Sequence, residues 1–419
     1  MFKRIMVPLF SFVLFLLVIP ATGSAVQSTV TPEQFGANGF DLKPDTEALK
    51  KALNSGADVV FLKDGASYII EERLKVNRSI KIASGPKKAT IIQKSDTQGV
   101  LYFRNPAKTA AAASQKITKG SSFITASNTA GIKAGDILEL KSNKLWKWDN
   151  RGSLTKGEIH LVKSVSGKNI YFTSKTDDSY DSGKGEKVTV RTYSPNTIVL
   201  ENINFTYPKP TAATAIIIDP SLNSSFKNIS VQNSKLTGLK LVKNVKATVS
   251  QSSFKLGTTK EISTGYGVQD YGGLRNQITR STFEEVRRGI DFSGDIPSRF
   301  GVADYNSATG PAKGTLAAGN SGFGTHSTAE YISFRNNTVK NFDYQFVSRG
   351  DYISFTNNSG SGQSKAFLHT NYGDHITLAN NRYTSINKSS LDYFILRSSS
   401  FGGSIKQQGN KGLYRTFIK

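Results

Sequence analysis

The feature that most constrains this fold is a short apolar motif that recurs through the second half of the chain. The segments YISFRNNTV, YISFTNNSG and HITLANNRY begin at residues Tyr331, Tyr352 and His375. The residues at the fourth place of each motif are therefore 21 and 23 positions apart. Intervals of about 20 residues, with one strand motif in each, are typical of solenoids.

Earlier segments carry the same pattern of alternating apolar residues. They read IVLENINF, ISVQNSKL, ATVSQSSF and NQITRSTF, and aligning Val231 with Val249 gives an interval of 18. Strict alternation predicts a strand with one buried face. Because the repeats contain no helical segment, they favour an all-β parallel β-helix over leucine-rich or helical repeats.

Amide residues end several of these motifs. Asn336, Asn357 and Asn380 hold equivalent places in the three C-terminal copies. Equivalent residues on successive coils of a parallel β-helix lie about 4.8 Å apart. We therefore expect these three side chains to form an amide ladder at a bend, with a structural role.

The chain divides into four regions by its sequence texture. Residues 1–25 combine Lys3 and Arg4, an apolar run and small residues before a cleavage point, which predicts a secretory signal peptide. A retained membrane anchor is the alternative, although the apolar run is short for that role. We expect a secreted protein with no membrane association after cleavage.

The other three regions are β-rich. Residues 26–112 are predicted to form an N-terminal cap and the first coils, with a helix that begins near Asp45 and Thr46. Residues 113–195 lack a fixed repeat and are predicted to form a small β insertion or side module. Residues 196–419 contain the repeated coils.

The amino-acid composition limits the kinds of metal site and binding partner that this protein can have. The chain has no cysteine, so disulfides and thiolate metal sites are excluded. Its net charge is +23, from 54 basic and 31 acidic residues, and a field of this sign attracts polyanions. Charge alone does not choose among acidic polysaccharides, anionic wall polymers and nucleic acid.

The N-terminal segment FGANGFDLKPDTEALKKAL resembles the opening motif of the pectate lyase superfamily, which includes rhamnogalacturonase-like and epimerase-like domains and many phage tailspikes. The usual pattern is Phe-Gly-Ala, a Gly-Asp-Gly turn and Asp-Asp-Thr before an Ala/Leu-rich helix. Residues 35–37 and Asp45-Thr46 match it, whereas residues 38–41 depart from the turn and Pro44 replaces the first Asp. The resemblance implies a right-handed, single-stranded parallel β-helix with a capping helix.

A second resemblance covers the segments VRRGIDFSG and GFGTHSTAEYISFRNN. They are similar to a pair of coils in phage-type and exported bacterial members, but Arg288 stands where that pattern has His, and Gly324 where it often has Asp. Members generally cleave polysaccharides as lyases or hydrolases. The resemblance therefore implies carbohydrate chemistry without fixing the bond that is cleaved. Together with the basic charge it leads us to expect an acidic polysaccharide partner and no nucleic acid. Many tailspike relatives are trimers, so a monomer and a homotrimer are both open.

A row of cationic and imidazole side chains is the candidate site. Alignment of FGTH, FVSR and FLHT on their phenylalanines puts His326 and Arg349 three residues after Phe, and His369 two residues after it. His326 and Arg349 then share an outer face that Arg288 extends. The same alignment gives His369 the opposite strand parity, so that it would face the interior.

This row suits β-elimination on a uronate. Arg288 or Arg349 would neutralise the carboxylate. His326 would take the adjacent proton, and Tyr271 or His369 would protonate the leaving oxygen. The competing interpretation is that these side chains bind anions without cleaving them, as in an adhesin that holds a wall polymer.

A glycoside hydrolase is the other alternative. It needs two carboxyl groups across the scissile bond, and Asp291 and Asp295 are the best candidates. The motif set of polygalacturonases is absent, which makes hydrolysis the weaker alternative without excluding it. No acidic cluster resembles the calcium site of a pectate lyase, so we predict no metal or other cofactor, with calcium as an unsupported alternative. Arg287 and Asp295 are predicted to bind substrate.

Two further features lie beside this site in our interpretation. Trp146 and Trp148 could stack on sugar rings, with a core role or an incidental surface patch as the alternatives. Residues 293–324 are too long for an ordinary turn between coils and are interpreted as a lip on the substrate side.

Overall fold

The computed structural model describes residues 27–146, 154–181, 184–257, 261, 263–310, 319–385, 393–412 and 416–418. Over these residues the chain forms a right-handed parallel β-helix, as predicted, with three long parallel sheets. Each coil contributes one strand to each sheet, so equivalent residues of successive coils stack in register.

Sheets 1, 2 and 3 are named in the order in which the chain meets them. Within the described residues, sheet 1 consists of the strands Thr29–Val30, Val59–Leu62, Ile80–Ser84, Ile198–Glu201, Ser225–Lys227, Thr248–Ser250, Gln277–Thr279, Val302–Asp304, Ser333–Arg335, Ser354–Thr356, Ile376–Ala379 and Ile405–Gln408. Sheet 2 consists of Ser67–Ile70, Ala89–Gln93, Ile203–Thr206, Ser230–Gln232, Ser253–Lys255, Thr282–Glu284, Ser307–Thr309, Thr338–Lys340, Ser359–Gly362, Arg382–Ser385 and Lys411–Gly412. Sheet 3 consists of Leu74–Val76, Leu101–Arg104, Thr214–Asp219, Thr237–Val242, Tyr266–Tyr271, Arg288–Ser293, Ser321–Thr325, Tyr344–Ser348, Ala366–Thr370, Tyr393–Arg397 and Thr416–Ile418.

A short helical cap covers the N-terminal end of the coils. A 3₁₀ turn at Pro32–Phe35 precedes the α-helix Thr46–Asn54, which buries Leu49 and Leu53 against the first coils. The Asp45 carboxylate accepts the backbone N–H of Asn38 at 2.8 Å, which holds the preceding turn against the helix start. The predicted capping helix is thus confirmed. None of the helices in the described part of the chain is long and apolar enough to span a membrane.

An antiparallel sheet, called the side sheet, interrupts the solenoid. Its antiparallel strands, in spatial order, are Thr109–Ala112, Val188–Tyr193, Ile137–Leu145, Thr155–Ser166, Asn169–Phe172 and Phe123–Thr125. The solenoid continues across this interruption, because Ile80–Ser84 pairs directly with Ile198–Glu201. Ile137, Ile159 and Tyr193 of the side sheet form an apolar cluster with Val245 and Ile296 of the coils.

The C-terminal repeat register is confirmed, but one earlier alignment is wrong. Phe334 pairs with Phe355 and Phe355 with Leu378, as the motif spacing predicted. Val231 lies in sheet 2 and Val249 in sheet 1, so they are not equivalent. Most of the motifs contain a strand of sheet 1 and a strand of sheet 2 with a bend between them, whereas ISVQNSKL contains the sheet 2 strand alone. Since residues alternate in both kinds of strand, the alignment slipped from one to the other.

The hydrogen-bonded amide ladder is one residue later than predicted. Asn336, Asn357 and Asn380 have φ values of 54°, 57° and 53°, so they form the left-handed bend itself. The ladder is formed by the asparagines that directly follow these bend residues and by their equivalents in neighbouring coils. The side-chain N–H of each asparagine donates to the side-chain carbonyl of the next at 2.9 to 3.1 Å, in the order Asn306, Asn337, Asn358, Asn381 and Asn410.

Residues 293–324 are not the single long loop that we expected. Val302–Asp304 joins sheet 1 and Ser307–Thr309 joins sheet 2, so this segment contains most of a coil. Its core positions are occupied by Ala303 and Ala308, which are too small to give the apolar signature of the other motifs. Residues 311–318, within the expected lip, lie outside the described residues.

Candidate functional site

The outer face of sheet 3 gathers most of the predicted site residues. In the strand Arg288–Ser293, Ile290 and Phe292 are buried in the core, and Asp291 between them faces the opposite side. Asp291 pairs with Gly324 of the next coil. Gly324 belongs to the strand Ser321–Thr325, and His326 directly follows that strand. The His326 side chain therefore reaches the Asp291 carboxylate.

Arg288, Asp291 and His326 form a compact hydrogen-bonded group. The Nδ1 atom of His326 lies 2.8 and 3.0 Å from the two carboxylate oxygens of Asp291. Nη1 of Arg288 donates to the Asp291 carboxylate at 2.6 Å, and Nε donates to Oγ of Ser321 at 3.0 Å. Arg288 and Asp291 are buried, whereas the His326 side chain is 24% exposed.

The charges in this group fix its protonation. Burial alone would raise the pKa of Asp291, but His326 and Arg288 outweigh it and hold the pKa well below its usual range. Burial lowers the pKa of His326, aided by the charges of Arg288 and Arg349 and opposed by Asp291. At neutral pH the pair is therefore a carboxylate and a neutral imidazole.

The tautomer of His326 follows from its partner. An ionised carboxylate accepts hydrogen bonds and donates none, so Nδ1 of His326 carries the proton. Nε2 then keeps its lone pair. A neutral imidazole whose second nitrogen is held by a carboxylate is the arrangement of an oriented general base.

His369 faces outward, and the prediction that it faces the interior is wrong. It pairs with Val347, which lies two residues before Arg349 and so has the same parity. The alignment failed because Phe367 and Leu368 are both fully buried, and Leu368 rather than Phe367 pairs with Phe346.

The surroundings of His369 keep it neutral. Its ring stacks on Tyr344 at a centroid distance of 4.4 Å. Burial, with the charges of Arg349 and Arg288, lowers the pKa of His369 to about 4. The charge of Arg349 lowers the pKa of both His326 and His369, so these three predicted residues are close enough to interact electrostatically.

Tyr271 lies on the same face towards the N-terminal coils. The Nζ atom of Lys240 lies 4.2 Å from the centre of the Tyr271 ring. Burial and the charges of Asp295 and Asp291 raise the pKa of Tyr271, so its phenol is protonated at neutral pH. Gln269, two residues before Tyr271 in the same strand, donates to the Asp291 carboxylate at 3.4 Å.

The remaining predicted residues have structural partners. Nε of Arg287 donates to the Thr264 carbonyl at 2.7 Å, and its guanidinium lies 4.8 Å from the centre of the Tyr266 ring. The Asp295 carboxylate accepts a hydrogen bond from Lys141 of the side sheet. Trp146 lies with its ring centre 6.0 Å from the Arg299 guanidinium, and Trp148 lies outside the described residues.

Sequence reasoning did not identify Lys240, Gln269 and Tyr344. Lys240, Gln269 and Asp291 occupy one register position in successive strands of sheet 3. That position continues through Gly324 and Val347 to His369, which spans five coil steps or about 24 Å. Aligning sheet 3 strand by strand would have found them, but the consecutive buried residues Phe367 and Leu368 obscure that alignment.

The described part of the chain contains no group of three or more His, Asp or Glu side chains arranged to hold a metal ion.

No protein-family model and no curated protein sequence matches this chain. Among solved structures, the gp54 tailspike of Acinetobacter baumannii bacteriophage AP22, in complex with A. baumannii capsular saccharide, matches with a TM-score of 0.71 at 13% identity, over 91% of this chain and 69% of that chain. The Pseudomonas phage phi297 tailspike gp61 matches with a TM-score of 0.66 at 14% identity, over 94% and 74%. The Streptococcus pneumoniae surface protein and adhesin PfbA matches with 0.52 at 11%, over 94% and 100%. These matches confirm the tailspike-like β-helix at the level of fold.

Proposed function

We propose that this protein binds an acidic polysaccharide along the outer face of sheet 3 and cleaves it by β-elimination. The observation that carries the proposal is the His326–Asp291 pair, which presents a neutral imidazole beside the cation of Arg349. The tailspike solved with a capsular saccharide supports a polysaccharide partner for a β-helix of this shape. The signal-peptide character of residues 1–25 supports export.

In the proposed reaction, Arg349 binds the uronate carboxylate and stabilises the charge that develops as the neighbouring C–H bond breaks. Nε2 of His326 takes that proton, and the Asp291 carboxylate stabilises the resulting imidazolium. The electron pair forms the ring double bond, and the glycosidic C–O bond breaks. Tyr271, whose pKa is raised, protonates the leaving oxygen.

Arg288 has a different role from the charge neutralisation that the sequence predicts for it. Its guanidinium is 3% exposed and is bonded to Asp291 and Ser321. A group in that position holds the carboxylate in place rather than receiving a substrate anion. We therefore assign charge neutralisation to Arg349 and the positioning of Asp291 to Arg288.

Hydrolysis by Asp291 and Asp295 is less well supported. A glycosidase needs one carboxyl group that is protonated at working pH. Burial raises the pKa of both carboxyls, but cationic partners more than offset it: His326 and Arg288 for Asp291, and Lys141 and Lys243 for Asp295. Both carboxylates are then ionised and neither can serve as the acid.

Binding without cleavage is the second candidate, and the match to the adhesin PfbA favours it. One assay separates the candidates. The protein is incubated with a panel of uronate polymers, and both ultraviolet absorbance and reducing ends are followed. We expect new absorbance from unsaturated sugar. Reducing ends without absorbance would indicate hydrolysis, and binding with neither would indicate an adhesin.

A further inference from the structure

We propose that Arg299 is a positioning residue that fixes the side sheet against the coil bearing the His326–Asp291 pair, so that the side sheet forms one wall of the polymer site. The inference rests on the proposed polysaccharide function. It concerns the segment 294–299, which directly follows the strand that carries Asp291.

Arg299 joins two parts of the molecule through a buried guanidinium. Its side chain is 4% exposed. Nε donates to Glu330 of the next coil at 2.8 Å. Nη1 donates to the Gly157 carbonyl and Nη2 to the Asp178 carboxylate of the side-sheet region, at 2.8 and 2.7 Å. One side chain therefore bonds a solenoid coil and two separate segments of the inserted chain.

The geometry of this contact needs an arginine. A planar guanidinium offers several donors in fixed directions, whereas a lysine ammonium offers a single charged point. Removal of the cation would leave Glu330 and Asp178 largely buried beside each other without a partner, which is strongly unfavourable. The contact is thus built to hold one relative placement of the two parts.

Two neighbouring contacts fix the same placement. Thr155 donates to the Asp295 carbonyl from its backbone N–H and from its hydroxyl, each at 3.1 Å. Gly157 lies directly against Ile296, because a Cβ atom at Gly157 would come within 2.3 Å of the Ile296 side chain. The side sheet therefore packs against this segment with no room for a side chain at position 157.

The placement matters for the site because of Lys141. Its ammonium donates to Asp295, and Asp295 in turn acts on the pKa of Tyr271 and of Lys240. Holding the side sheet in place keeps Lys141 beside the N-terminal half of the outer face. A polymer that extends past Tyr271 would meet this wall, whereas a short oligosaccharide at His326 would not.

The test compares Arg299→Met with Arg335→Met, which removes a half-exposed arginine paired with Asp304 away from the side sheet. We measure the affinity for a uronate polymer and for a short uronate oligosaccharide, and hydrogen exchange of the strands Ile137–Leu145 and Thr155–Ser166. In Arg299→Met we expect faster exchange and polymer binding weakened by about tenfold or more. Binding of the oligosaccharide should be unchanged, and Arg335→Met should match the wild type.

Two further variants guard against simple unfolding. Gly157→Ala disrupts the contact with Ile296 without changing any charge, and should reproduce the loss of polymer binding. Arg299→Lys should restore part of it. The proposal is overturned if Arg299→Met and Gly157→Ala bind the polymer as the wild type does, or lose both ligands equally while folded. If the wild-type protein binds neither ligand, the proposed function fails. Unchanged hydrogen exchange in Arg299→Met would separately refute the role of Arg299 in fixing the side sheet.

Discussion

At the residue scale, the protonation state of His326 is set by the side chains around it in the fold rather than by its neighbours in the sequence. The same imidazole at an exposed site would be about half protonated near pH 6.5. Burial and the cations of Arg288 and Arg349 lower its pKa, and Asp291 fixes its tautomer. A base that stays neutral at and below neutral pH is the chemical result.

The pH profile of cleavage tests this environment. Since the pKa of His326 is lowered, its neutral base form persists to lower pH. The acid limb of the kcat profile should therefore have its midpoint below pH 6.5. Arg349→Gln removes a cation that disfavours imidazolium, so it should move that limb to higher pH as well as reduce the rate. An acid limb that does not move in Arg349→Gln would argue against an electrostatic link between the two residues.

Asp291 illustrates what sequence reasoning could and could not do at this scale. The sequence singled out both Asp291 and His326, but for competing mechanisms, because they are 35 residues apart and belong to different motifs. Only the register of the strand Arg288–Ser293 against Ser321–Thr325 brings them within hydrogen-bonding distance. The sequence likewise predicts that Arg288 contacts substrate, whereas the structure buries it against Asp291.

At the scale of the elements, the coils are held by buried amides at one bend. The side-chain N–H of Asn358 donates to the Phe334 carbonyl and to Asn381, and its carbonyl accepts from Asn337. Because Asn358 is 1% exposed, these groups have no access to water as a substitute. Each coil therefore satisfies polar groups of the coils on either side.

Asn358→Ala should destabilise the protein by about 3 kcal/mol, since it leaves several buried polar groups without partners. Asn357→Gly is the matched control. Asn357 has φ of 57°, a conformation that glycine adopts freely, so the change should be small. Urea unfolding monitored by circular dichroism measures both. Equal stability of the two variants would show that the ladder contributes little.

The elements also show why the fold was easier to predict than its details. Alternation and a constant repeat survive in the sequence wherever large apolar residues fill the core, as at Phe334, Phe355 and Leu378. Both signals are lost where Ala303 and Ala308 fill the core, and alternation is lost where the consecutive residues Phe367 and Leu368 are both buried. Those two local departures hid one coil and reversed the predicted orientation of His369.

At the scale of the whole molecule, charge and shape act together. The net charge of +23 gives a field that attracts polyanions from a distance. The outer face of sheet 3 adds Lys240 and Arg349 at either side of the His326 group. A long acidic polymer would thus gain from both the general field and the local cations.

Binding of an acidic polymer should weaken steeply with salt. Raising ionic strength from about 0.01 M to 0.15 M shortens the screening length from about 30 Å to 8 Å. We expect the affinity for a uronate polymer to fall by about tenfold or more over this range. A neutral glucan serves as the control, and measurement by fluorescence polarisation suffices. Affinity that is independent of salt would mean that the net charge is not used in recognition.

The most direct test of the central claim is the cleavage of a uronate polymer by His326→Gln, compared with His375→Gln. His375 is half-exposed and stacks on Tyr352 away from the outer face of sheet 3. Ultraviolet absorbance of the unsaturated product and polymer affinity are measured on the same samples. We predict that His326→Gln loses cleavage but keeps its affinity, while His375→Gln behaves as the wild type. Unimpaired cleavage by His326→Gln would contradict the assignment of His326 as the base.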